Sequence, residues 1–169
     1  MPVFQPPPFR IYLLRHARAG SADPGARDFD RRLDDEGYAQ AEIMADRAAD
    51  KHYVPDIILS STAVRCRETT EAFRRAFNDR CEISYIDEIY NGRPETYIAL
   101  LSGQSDRRSV MLVGHNPTIE TVLDSLIGKP AMEAALPSGF PTAGLAVLDP
   151  DATPEMQDTG WRLTEFLKP

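Results

Sequence analysis

Short apolar runs that alternate with helical stripes constrain this chain more than any other feature of its sequence. Residues 9–14, 56–60 and 110–113 have the length and content of buried strands, and 82–86, third in chain order, alternates polar and apolar in the manner of a strand. Asp34 is placed to cap a helix over 34–49 that carries Ala41, Met44, Ala45 and Ala48 on one face. A second helix over 63–77 has Cys66, Thr70, Phe73 and Phe77 in one stripe. Pro94 suits the first turn of a short helix over 94–101. Asn116 reads as a cap with Pro117 at the first helical position, Ile119, Val122, Leu123, Leu126 and Ile127 form the buried face, and Gly128 is the stop. Two late strands follow at 143–148 and 161–166. This order predicts an α/β three-layer sandwich, with a mostly parallel central sheet and helices on both faces.

The 169 residues suffice for one domain with a real core, and no repeat or linker divides them, so a single domain over 1–169 is expected. Pro2, Pro6, Pro7 and Pro8 make residues 1–8 an extended Pro-rich arm. Residues 17–33 lack periodicity and read as a long exposed loop, which in a compact domain is usually functional. Lys and Arg number 19 against 26 Asp and Glu, a net charge of −7. That balance argues against nucleic acid or an anionic membrane as partner, since both need a cationic face. Two cysteines, Cys66 and Cys81, are too few for a disulfide framework and read as packing positions. With no apolar run near the ~20 residues of a membrane span and no leader-like start, a cytoplasmic location is expected.

In parallel sheets ligands bind outside the carboxyl ends of the strands, and three of these ends are unusually polar. The first gives Arg15 and His16, the second Ser60 and Ser61 with Arg65 just beyond, and the fourth His115. Two histidines and two arginines without a cysteine or carboxylate pair do not suit a metal. Arginine repels a metal cation but matches phosphate bidentately. The helix after His115 offers its first N–H groups to an anion. These residues predict a phosphoryl pocket, with Arg18 of the loop and Asn116 beside His115 as further candidates to touch substrate. Neighbouring guanidiniums would keep an imidazole neutral, and a backbone carbonyl would hold its other ring N–H. Such a ring is a competent nucleophile for a phosphoenzyme, and no cofactor or metal is called for.

Several segments resemble those of the histidine phosphatase superfamily, most closely its compact SixA-type phosphohistidine phosphatases. Leu14-Arg15-His16-Ala17 is similar to the Arg-His-Gly/Ala signature, and the stretch from Asp30 to Gly37 to an Asp-x-x-Arg-x-Leu-Thr-x-x-Gly segment. The stretch from Leu59 to Thr69 resembles Leu-Ser-Ser-Pro-Ala-x-Arg-Ala-x-Gln/Glu-Thr. Val113-Gly114-His115-Asn116-Pro117 and Pro141-Thr142-Ala143 complete the set. Asp34 stands where the usual residue is Thr, and Thr62 where it is Pro. The resemblance implies a phosphoglycerate mutase-like fold, with His16 as phosphorylated nucleophile and Arg15, Arg65 and His115 on the phosphoryl group. It places Glu88 in the region where larger relatives carry a proton-donating Glu.

The resemblance implies a phosphorylated protein as partner, a phosphohistidine carrier or signalling domain. A small phosphoester is the nearest alternative, and a non-catalytic phosphate-binding module on the same fold is a rival from another class. Retention of His16, Arg15, Arg65 and His115 argues against that module.

Overall fold

The computed structural model describes residues 10–151 and 159–169. The expected arm over 1–8, and Phe9 at the expected start of the first strand, lie outside the described residues. The strands are β1 (Arg10–Arg15), β2 (Ile57–Ser61), β3 (Glu82–Ile86), β4 (Ser109–Gly114), β5 (Leu145–Pro150) and β6 (Trp161–Leu167). They form one sheet in the order β3-β2-β4-β1-β5-β6. The β3–β2, β2–β4 and β4–β1 pairings are parallel, while β5 and β6 join antiparallel beyond β1.

Strand alternation sends side chains to two faces, and both are apolar. Tyr12, Leu14, Ile58, Met111, Val113, Leu145 and Val147 pack under α1 (Asp35–Asp50) and α2 (Val64–Ala76). Ile11, Leu13, Ile57, Leu59, Val110, Leu112, Ala146 and Leu148 pack under the opposite layer. That layer holds α3 (Pro94–Ser102), α4 (Thr118–Ile127) and α5 (Lys129–Ala135). The three-layer sandwich expected from the sequence is the one observed. At roughly 1.5–3 kcal/mol for each fully buried large apolar side chain, these two cores dominate the stability of the fold.

Local differences have local causes. Asp34 caps α1 as expected, its carboxylate accepting from Gly37 N at 2.7 Å. Asn116 does not cap α4: the helix begins at Thr118, and the Asn116 amide donates instead to Glu120 Oε2 at 3.1 Å. Gly128 does end α4, at φ 83°, but Pro130 in the next first turn starts α5, which the sequence reading missed. The 17–33 loop is partly ordered by a 3-10 turn at Asp28–Asp30 and a bridge between Ala19 and Leu33. Its return to α1 requires Gly37, because a Cβ there would stand 1.9 Å from the Arg18 carbonyl oxygen.

Candidate active site

Parallel register alone brings the two histidines together. Arg15 on β1 pairs with Gly114 on β4, so the next residues, His16 and His115, leave the sheet side by side. The ladder runs one step further, with His16 N donating to Gly114 O at 3.2 Å. The two ring centroids are 5.4 Å apart. A turn after α5 holds the same point from the other side. Ala143 N donates to His16 O at 3.1 Å, and Arg15 Nη1 to Phe140 O at 2.7 Å. The late Pro-Thr segment thus clamps the backbone of the Arg-His pair.

His16 is buried, and its Nδ1 lies 2.7 Å from the carbonyl oxygen of Ala17. A carbonyl only accepts, so Nδ1 carries the proton and Nε2 keeps the lone pair. Ala17 is fixed in turn by its N–H, which donates to Thr69 Oγ1 at 3.0 Å. The His16 imidazolium is disfavoured, and its pKa falls from 6.5 to about 4. Burial is the largest cause, and the positive charges of Arg65, Arg15 and Arg31 add to it against the opposing Ala17 hydrogen bond. Desolvation, rather than the neighbouring guanidiniums expected from the sequence, is the greater effect here.

His115 is pushed lower still, to about 3, first by burial and then by His16 and Arg65. Its Nδ1 is 3.3 Å from Arg65 Nη2 and its Nε2 is 2.8 Å from Ser61 Oγ. Arginine can only donate, so Nδ1 is the acceptor and Nε2–H donates to Ser61. Ser61 also accepts from Ala63 N at 3.2 Å at the start of α2, so it serves the helix and the histidine together. Cys66 packs beside this ring, with its thiol raised by burial to about 12. It is an inert packing residue.

Arg65 is buried and reaches back to the loop. Its Nη1 donates to Asp28 O at 2.9 Å and its Nη2 to Asp28 Oδ2 at 3.1 Å. Tyr90 OH donates to the same carboxylate oxygen at 2.8 Å, and Arg31 Nη1 to Oδ1 at 3.1 Å. The Tyr90 ring lies 5.6 Å from that of His115 and meets Phe29 edge-on at 5.0 Å. On the opposite side Arg15 has a buried Nε without a hydrogen-bond partner among the described residues, and its charge is disfavoured by burial but supported by Glu120. A buried guanidinium N–H without an acceptor is a place for an anionic oxygen.

Two guanidiniums and two neutral imidazoles around one point can hold a phosphoryl group against a nucleophilic ring nitrogen. The sequence profile of the histidine phosphatase superfamily (branch 1) matches residues 11–97, which include His16 and Arg65. The chain belongs to the histidine phosphatase superfamily. Among its solved relatives, a proposed phosphohistidine phosphatase SixA of Agrobacterium tumefaciens is 59% identical, with a TM-score of 0.88. That match covers 96% of this chain and 99% of the other. An uncharacterized protein of Mycobacterium leprae is 32% identical over 80% of this chain and 86% of its own length. An uncharacterized chloroplastic protein of Arabidopsis thaliana is 30% identical over 70% of this chain, and the match spans only 59% of that relative.

Within this histidine phosphatase, the first-strand and fourth-strand residues and Arg65 converge, while the remaining candidates do not. Arg18 is about half exposed and held outward by Asp34 at 3.0 Å and by Glu36. Asn116 spends its amide N–H on Glu120, and its Oδ1 could only accept. Glu88 is exposed in the 3-10 turn Asp87–Ile89, and no hydrogen bond among the described residues holds its carboxylate. Thr62, at the position where the family carries Pro, donates to Asp87 Oδ1 at 2.7 Å and fixes that turn. Counting back from Arg31 and Leu33, the family's loop Asp falls on Asp28 rather than Asp30, and Asp28 is the one that meets Arg65. That spacing was the available signal for Asp28. Thr69 closes the segment that begins at Leu59, and Tyr90 carried no signal.

Proposed function

We propose that this histidine phosphatase removes the phosphoryl group of phosphohistidine on a partner protein, through a covalent intermediate on His16 Nε2. The observation that carries the reading is the 2.7 Å contact between His16 Nδ1 and Ala17 O. It fixes the tautomer and leaves Nε2 as the attacking atom, in a ring too deeply buried to be protonated near neutrality. Arg15 and Arg65 would bind the equatorial oxygens, where contacts that tighten as charge spreads lower the barrier. His115 would join them through Nδ1. Ser61 can donate to or accept from Nε2, which lets the ring carry its proton on either nitrogen. Water would then release phosphate from His16.

The 59% identity to the Agrobacterium tumefaciens protein supports phosphohistidine over other phosphoryl donors. So does the exposed, unheld Glu88: a phosphoester needs a proton on its leaving oxygen, and a weak P–N bond needs less help. No helix among the described residues is long and apolar enough to cross a membrane. The free thiols of Cys66 and Cys81 suit a reducing compartment, and a cytoplasmic location is part of this reading. The test is kcat/KM for a phosphohistidine peptide and an aryl phosphate, with wild type and His16→Ala. The expected result is preference for the peptide and loss of both activities in the variant. Turnover of the aryl phosphate alone would make the chain a small-molecule phosphomonoesterase, and turnover by His16→Ala would remove the nucleophile.

A further inference from the structure

Among the described residues, Asp28 is the carboxylate that bonds directly to Arg65. It sits at the outer lip, with a side chain 52% exposed, while His16, His115 and Arg65 lie beneath. Three donors fix it: Arg65 and Tyr90 on Oδ2, and Arg31 on Oδ1. A carboxylate offers about four lone-pair sites, so one remains on the Oδ1 side for a further donor. A phosphoryl group entering between Arg65 and His16 would bring its leaving group outward, toward this lip and the edge-packed rings of Phe29 and Tyr90.

We propose that Asp28 selects the leaving group: its carboxylate accepts the distal N–H of a phosphorylated imidazole and keeps that ring cationic. This deepens the phosphohistidine reading and rests on it. The bonds then balance without a protein acid. The His16 Nε2 lone pair forms the new N–P bond, the substrate's N–P bond breaks, and its electron pair returns to the leaving nitrogen. The leaving ring already holds a proton on its distal nitrogen, so it departs as neutral imidazole. No proton passes to or from the enzyme in this step. An ester offers no such proton, and the fixed negative charge of Asp28 opposes the oxyanion its departure creates. Asp28 remains ionised throughout the working range, since the Tyr90 hydrogen bond above all, with Arg31 and Arg65, holds its pKa near 2.

The test is the ratio of kcat/KM for N-phosphorylimidazole to that for an aryl phosphate, in wild type and Asp28→Asn. A lost hydrogen bond to a charged acceptor predicts a ratio lower by about ten- to a hundredfold in the variant, whatever the loss common to both substrates through Arg65. If Asp28 only positions Arg65, both substrates fall alike and the unchanged ratio overturns the proposal. A second measurement needs no variant: methylating the distal nitrogen of N-phosphorylimidazole removes the N–H and keeps the cation. Relative to spontaneous hydrolysis, wild-type kcat/KM should fall about tenfold or more for the methylated compound; an equal or higher value overturns the proposal. Wild type that turns over neither imidazole compound would instead defeat the phosphohistidine reading itself.

Discussion

The hydroxyl of Thr69 accepts the amide of Ala17 at 3.0 Å and donates to the carbonyl of Arg65 at 2.7 Å. One buried side chain thereby ties the peptide that orients His16 to the helix that carries Arg65. Thr69→Val keeps the shape and leaves the Ala17 N–H buried and unpaired. The expected cost is about 1–3 kcal/mol of stability, read as a shift in urea midpoint. A fall in kcat with little change in KM is also expected, because the loosened Ala17 carbonyl holds the imidazole less firmly. A Thr69→Ser enzyme, which retains the hydroxyl, should recover most of the rate.

Both histidine rings bind protons less readily in the folded chain than at their ordinary pKa of 6.5, at about 4 for His16 and about 3 for His115. The unfolded chain therefore takes up more protons as pH falls below 6.5. The stabilisation is fully present above that value and is lost progressively down to the folded pKa values. For His16 the difference is on the order of 3 kcal/mol. Urea midpoints should fall between pH 7 and pH 5, and less steeply in His16→Gln. Nitrogen NMR of the wild-type rings at pH 6 should find both neutral, with His16 protonated on Nδ1 alone. A charged His16 at that pH would contradict the buried-nucleophile geometry.

Arg65 combines charge with planar geometry, giving Nη1 and Nη2 to Asp28 and Nη2 also to His115. Arg65→Lys keeps the charge and loses the fork. A kcat/KM lower by about a hundred- to a thousandfold is expected, as for other removed transition-state donors. Phosphate or vanadate inhibition should weaken in parallel.

Glu88→Gln separates two kinds of leaving group. A true general acid contributes about 10²–10⁴ in rate. The exposed position of Glu88 leads instead to a phosphohistidine kcat/KM within about twofold of wild type. A loss of two orders of magnitude on the peptide would restore Glu88 as proton donor.

The layers and the convergence of His16, His115 and Arg65 were legible because they follow from strand patterning and parallel register. Two apolar runs ending in Arg-His and Gly-His place their polar residues together once they pair side by side. Asp28 was legible only through its spacing from Arg31 and Leu33, and Tyr90 was not legible, since their contact joins residues 62 apart through a loop without periodicity. Asn116 misled because α4 begins one residue later than its spacing implies: Pro117 stands at the cap, and Asn116 turns its amide N–H to Glu120 instead. α5 was hidden behind Gly128, which ends one helix and precedes another.

Rapid mixing with a phosphohistidine peptide, an alkaline denaturing quench and peptide mass spectrometry test the nucleophile most directly. One phosphoryl group on the peptide containing His16, stable to alkali, labile to acid and absent in His16→Ala, is the expected result. Turnover with no phosphorylated enzyme at any mixing time, or with the label on His115 instead, would contradict it.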